Sequence, residues 1–143
     1  MIYITEGDLT DSSYKRFLDE STGDTVAGHT VLDSLELKAI EFATPYLSAR
    51  YDTDKIFDEA EPIRNGVLVE IIAKIVLHKL FSRNAARKVS TDVKEGYDWA
   101  LKELSKLDSG NPILKDLPVP VDEDDQPTFP NAFGNSSNED FYI

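Results

Sequence analysis

The sequence of 143 residues has no cysteine, two histidines and one tryptophan. Without cysteine there is no disulfide framework, no thiolate nucleophile and no cysteine-based zinc site. The sequence also has no glycine-rich phosphate loop and no Gly-x-Ser-x-Gly nucleophile elbow. Because these absences leave few groups for catalysis, we expect a protein that is not an enzyme, with no catalytic residues, no metal and no cofactor.

Long apolar runs and basic residues are scarce as well. The longest apolar segment, residues 67–77, is interrupted by Glu70 and Lys74, and no cationic apolar stretch follows Met1. We therefore expect neither a membrane span nor a signal peptide. The 15 basic residues face 27 acidic ones, which gives a net charge of −12. Because phosphate binding requires a basic surface, we expect no specific binding of nucleic acid.

The spacing of apolar residues predicts an all-α fold, a small bundle of about four helices in residues 1–110. Thr5 with Asp8 resembles a capping box and predicts a short first helix, which would carry Leu9, Tyr14, Phe17 and Leu18. A polar loop with two glycines follows, and we expect the second helix to begin at Thr30. Pro45 inside that helix predicts a kink or a restart capped by Thr44.

Pro62, after a charged connector at residues 52–61, is expected to open a third helix that runs to about Ser82. This helix is apolar around most of its circumference, which is typical of a helix that is central in its own bundle or shared with a neighbouring subunit. Its polar residues Glu70, Lys74 and His78 lie four positions apart and form one stripe. We interpret His78 as a solvated or interface residue rather than a general base.

The fourth helix is expected to begin at a cap formed by Ser90 or Thr91 and to end at Gly110. Trp99 lies outside its apolar stripe, because successive residues are about 100° apart around a helix. We therefore predict that Trp99 binds a partner or covers the side of another helix.

Residues 111–143 form the second predicted unit, an extended, irregular tail. It contains five prolines and the acidic run at residues 122–125, and its 7 acidic and 1 basic side chains carry half of the net charge. Apolar residues are nevertheless spaced along it in a way that predicts ordering on a partner. The expected anchors are Phe129, Phe133, Phe141, Tyr142 and Ile143, and packing of these residues on the chain's own bundle is the alternative.

The order of these features resembles the Mu-like head-completion or neck proteins of tailed bacteriophages. The resemblance rests on Tyr3-Ile4-Thr5 with Asp8-Leu9, on Tyr46-Leu47 with Arg50-Tyr51, on Pro62 before Ile71 and Ala73, and on Tyr97, Ala100-Leu101, Leu104 and Gly110. It spans about residues 3–110. Pro45 and the tail from Asp116 onward depart from the family's pattern.

The resemblance implies a structural head–tail connector that forms a ring of twelve copies and docks on the portal protein. The ring would join the portal to tail or stopper proteins, let DNA pass through a channel, and lie in the virion neck after assembly in the host cytoplasm. Glu70, Lys74, His78 and Arg50 are the expected subunit-interface residues. The alternative from a different class is a small acidic inhibitor that mimics nucleic acid.

Overall fold

The computed structural model describes residues 1–10, 25–83 and 88–128, with the side chains of residues 25–30 left out of the description. Tyr14, Phe17 and Leu18, and all five anchors predicted between residues 129 and 143, lie outside the described residues. Within the described part the chain is all-α, as predicted. Its helices are α1 (Glu6–Leu9), α2 (Thr25–Leu47), α3 (Thr53–Ile56), α4 (Gly66–Ser82) and α5 (Thr91–Ser109).

Helix α4 is the centre of the bundle. It packs against α1, α2 and α5, and α2 also packs against α5. Seven of its residues are buried: Leu68, Ile71, Ile72, Ala73, Ile75, Val76 and Leu80. The apolar circumference that the sequence displays is therefore covered largely by the chain's own helices. None of the helices in residues 1–10, 25–83 and 88–128 has the length and apolar character needed to cross a membrane.

The two ends of α5 are as predicted. The Ser90 hydroxyl oxygen accepts a hydrogen bond from the Val93 N–H group at 3.4 Å. Gly110 ends the helix with a φ of 79°, in the left-handed region that glycine adopts without a steric penalty. The capping box of α1 is also confirmed, since the Thr5 N–H group donates to the Asp8 carboxylate at 2.6 Å.

Three predicted helix boundaries are wrong. Helix α1 ends at Leu9, because Thr10 is extended, so the helix that begins at the capping box does not continue to Tyr14. Helix α2 begins at Thr25, before Thr30, because a polar stretch with one glycine does not by itself stop a helix. It continues through Pro45 to its end at Leu47 without a restart at Thr44, whose hydroxyl donates to the Ile40 carbonyl oxygen at 2.8 Å within the helix. A kink at Pro45, the other alternative, stays a prediction. Helix α4 begins after Asn65 rather than at Pro62.

Two side chains explain the altered boundaries around the charged connector. The Asn65 side-chain oxygen accepts from the N–H groups of Val67 and Leu68 at 3.0 and 3.4 Å, which sets the start of α4. In the connector, the Asp52 carboxylate accepts from the Lys55 N–H group at 3.2 Å. This cap allows the short helix α3 to form where the sequence predicted none.

The first four residues are held against α2 by a buried carboxylate. Glu36 has 1% of its surface exposed. It accepts hydrogen bonds from the N–H groups of Ile2, Tyr3 and Ile4 at 2.6, 2.9 and 2.7 Å. One turn earlier on the same helix, Asp33 forms an ion pair with the Met1 amino group. These contacts allow the extended segment to bury Tyr3 and Ile4 without leaving their backbone donors unpaired.

Candidate interaction surfaces

The predicted stripe on α4 faces α5 within the same chain. The His78 ring stacks on Tyr97 with 4.0 Å between ring centroids and an angle of 11° between the planes. The Lys74 Nζ atom lies 5.5 Å from the centre of the Trp99 ring and 3.5 Å from the Glu70 carboxylate. Lys74 and His78 are therefore half-buried between two helices, and Glu70 alone of the three is exposed. Their role in a subunit interface stays a prediction.

Trp99 is half-buried and packs against the edge of the hydrophobic core. Its contact with Lys74 places it against the side of α4. Covering the side of another helix is one of the two roles that the sequence predicted for Trp99. Beside this contact, α1 and α4 form a cleft of about 350 Å³, whose apolar lining includes Leu9, Val69 and Leu77. Binding of a partner by Trp99 stays a prediction.

His78 is expected to make stability depend on pH. Partial burial lowers the pKa of its imidazole, Lys79 and Lys94 lower it further, and Asp98 opposes the change. A histidine whose pKa is lower in the folded state gives stability that is complete above its unfolded pKa of about 6.5 and is lost as pH falls. Between pH 7.5 and 5.5 the wild type should lose more stability than His78→Phe, which keeps the ring stack on Tyr97. Urea denaturation at the two pH values measures this; equal losses in both proteins would contradict it.

Arg50 closes the C-terminal end of α5 rather than pointing freely from the surface. Its Nε atom donates to the carbonyl oxygen of Asp108 at 2.9 Å, and one terminal nitrogen donates to that of Ser109 at 3.1 Å. These are two of the carbonyl groups that a helix end leaves without partners. The guanidinium lies so close to Gly110 that an added Cβ atom would be 2.4 Å from its central carbon.

Gly110→Ala is therefore expected to lower the free energy of unfolding by about 1 to 2 kcal/mol, because alanine is strained at positive φ and would displace Arg50. Gly66→Ala is the matched control: a Cβ atom at Gly66, the first residue of α4, would meet nothing within 4 Å. We expect that control to be neutral or slightly stabilising. Thermal or urea denaturation of both variants tests the difference, and equal effects would contradict it.

The first part of the predicted tail packs on the bundle. Leu117 is buried in the hydrophobic core and Leu114 is partly buried against it. The Leu114 N–H group donates to the Tyr51 hydroxyl at 2.9 Å, and the Asp52 N–H group donates to the carbonyl oxygen of Pro118 at 2.9 Å. The helical part of the domain ends at Gly110 as expected, but residues 114–118 are attached to it; we call them the tail root.

The acidic run at residues 122–125 forms a tight turn rather than an extended segment. Val121 and Pro127 make an isolated antiparallel bridge across it. The Asp122 carboxylate accepts from the N–H groups of Asp124 and Gln126 at 3.0 and 2.9 Å, and Asp125 has a φ of 57°. Across residues 1–10, 25–83 and 88–128 no three histidine, aspartate or glutamate side chains come close enough to hold a metal ion together.

A further surface, which the sequence did not reveal, lies where α3 meets α2. We call it the acidic groove: Ile40, Thr44 and Phe57 line a depression of about 330 Å³ together with Thr53, Asp54, Asp58 and Glu59. The three carboxylates are exposed. Hydrogen bonds from the N–H groups of Glu61 and Ala60 lower the pKa of the Asp58 carboxyl. The charges of residues 52–59 were visible in the sequence, but their position beside α2 depends on the fold.

Comparisons with protein-family models, with curated proteins and with solved structures found no match for this chain. The resemblance to Mu-like head-completion proteins stays a prediction from the residues quoted above. A function for this chain must therefore be argued from the contacts of the described residues.

Proposed function

We propose that this chain is a structural head–tail connector of a tailed bacteriophage, a small adaptor that forms a ring, docks on the portal protein and joins it to the tail or to stopper proteins. The family resemblance implies twelve copies in that ring. The observation that carries the proposal is the attachment of the tail root. Leu117 in the core and the Asp52–Pro118 hydrogen bond hold the start of the tail at one place on a compact helical domain.

A segment that starts from a fixed point on a folded domain can reach only partners near that point. Beyond the acidic turn the sequence contains the aromatic anchors Phe129, Phe133, Phe141 and Tyr142. Aromatic side chains in pockets contribute much of the energy of protein interfaces. Ordering of a tail costs about 1 to 2 kcal/mol per residue of backbone, so such anchors need a large shared interface to be effective. A portal ring offers that kind of interface.

The charge of the chain supports a role next to DNA without binding to it. A net charge of −12 on 143 residues repels phosphate groups, so that a genome could pass a channel lined by this protein without adhering.

The proposal is tested with filled, portal-bearing capsids that lack this protein. The full chain is compared with a chain that ends at Thr128, which keeps every contact described here, and with a chain in which residues 129–143 are scrambled at constant composition. We expect electron microscopy to show rings of the full chain on the portal and at least about a tenfold loss of occupancy with both variants. No binding by the full chain, or equal joining by the shortened one, would overturn the proposal.

A further inference from the structure

We propose that copies of this chain associate head to tail through two unlike surfaces of α2, with the acidic groove of one copy receiving a basic face of the next. The biological setting, a ring at the portal, rests on the function proposed above. The self-association itself is argued from the described residues and is tested separately.

The acidic groove combines an apolar floor with a rim of one charge. Ile40 and Phe57 contribute the floor, and Asp54, Asp58 and Glu59 surround it. Leu37 has 49% of its surface exposed, and it lies one turn before Ile40 on α2, so helical spacing places it on the same side of the helix. Lys55, on the same short helix as Asp54, is paired with the Asp52 carboxylate at 3.1 Å. An apolar surface with an acidic rim fits a partner that presents cations around an apolar centre.

A surface of this kind, with cations around an apolar centre, lies on the other side of α2 in the same chain. Phe42 and Tyr46 contact each other with 5.9 Å between ring centroids, and both are half-buried. The Lys79 Nζ atom of α4 lies 5.8 Å from the centre of the Phe42 ring. Lys38 is one turn before Phe42, Arg83 is one turn after Lys79, and both are exposed. We call this set the basic face.

The two surfaces carry equal numbers of opposite charges and lie on nearly opposite sides of α2. Three exposed carboxylates border the groove. On the basic face Lys79 contacts the Phe42 ring, and helical spacing places Lys38 and Arg83 on the same side as Phe42 and Lys79. Ile40 and Phe42 are two positions apart on α2, which places them about 200° apart around the helix axis. A molecule with complementary surfaces on opposite sides cannot satisfy both in one symmetric dimer. It forms a head-to-tail contact, which repeats as a closed ring or an open filament.

Charge reversal with rescue tests this arrangement in the full chain. Asp54→Lys/Glu59→Lys reverses the groove and Lys38→Glu/Arg83→Glu reverses the basic face; all four side chains are exposed. In sedimentation velocity over a concentration series, we expect wild type to form species larger than a dimer and each variant to associate at least about tenfold more weakly, because like charges then meet across the contact. The equimolar mixture should recover wild-type association, because reversed groove and reversed face are complementary.

Two matched variants control for net charge. Glu95→Lys/Glu123→Lys and Lys94→Glu/Lys102→Glu make the same charge changes on exposed residues outside both surfaces, and they should associate as wild type does. A monomeric wild type, an assembly no larger than a dimer, unchanged association of the reversed variants, or a mixture without rescue would each overturn the inference. Capsid binding by the full chain with a failed rescue would overturn this interface and leave the proposed function standing. Association with rescue but no capsid binding would overturn the proposed function and leave this interface standing.

Discussion

Glu36→Ala is expected to lower the free energy of unfolding by about 3 to 5 kcal/mol. The substitution removes the acceptor of three backbone N–H groups, those of Ile2, Tyr3 and Ile4. Each donor left unpaired in a buried place costs about 1 to 3 kcal/mol. The loss has an upper limit, because the segment can detach and return its donors to water; it would then expose the buried side chains of Tyr3 and Ile4.

Urea denaturation of the full chain measures the loss, with Glu41→Ala as the matched control. Glu41 is exposed on the same helix, so its substitution should change stability by less than about 0.5 kcal/mol. The loss of stability for Glu36→Gln should lie between the losses for Glu36→Ala and Glu41→Ala. The glutamine side chain retains the oxygen that accepts from Tyr3 and Ile4 but can place an amide donor against the Ile2 N–H group. A loss below about 1 kcal/mol for Glu36→Ala would show that the carboxylate does not hold the segment.

Local chemistry made much of this fold predictable. The caps at Ser90 and Gly110 and the capping box of Thr5 depend on residues within four positions of each other, and all three are confirmed. A helix that is apolar on most sides must be enclosed, so the sequence predicted α4 to be central in its own bundle or shared with a neighbouring subunit. Its packing against α1, α2 and α5 agrees with the first alternative. Errors occurred where two local signals competed. Asn65 outweighed Pro62 as a helix start because its side chain pairs with two backbone donors.

The contacts that hold distant segments together could not be predicted in the same way. Glu36 reads as an ordinary polar residue of α2, and only the arrival of residues 2–4, more than 30 positions away, makes it a buried acceptor. Arg50 reads as a surface cation, and its carbonyl partners are 58 and 59 residues away. Lys74 and His78 were correctly placed on one stripe. Which element covers that stripe depends on the docking of α5.

The acidic groove could not be predicted from the sequence for a related reason. Asp54, Asp58 and Glu59 belong to a segment that reads as a charged connector. Helix α3 and the packing of Phe57 against the core place these carboxylates beside Ile40. The composition of an interaction surface can therefore be read from the sequence only after the neighbouring helix is known.

Leu117→Ala is expected to cost about 2 to 4 kcal/mol of folding free energy, although the residue lies seven positions beyond the last helix cap. Leu117 has 5% of its surface exposed and belongs to the same core cluster as α2, α4 and α5. Truncation of a buried leucine removes apolar burial and leaves a cavity. The effect should be seen both in the full chain and in a chain ending at Thr128, because the core cluster to which Leu117 belongs is formed by residues before Thr128.

Ile113→Ala is the matched control, because Ile113 is in the same segment and has 64% of its surface exposed. Its substitution should change stability by less than about 0.5 kcal/mol. Equal, small effects of the two substitutions would mean that the chain leaves the domain at Gly110, as the sequence suggested. A large effect of Leu117→Ala alone would mean that the tail root folds with the bundle, so that a partner pulling on the tail acts on the whole domain through the contacts of Leu117, Tyr51 and Asp52.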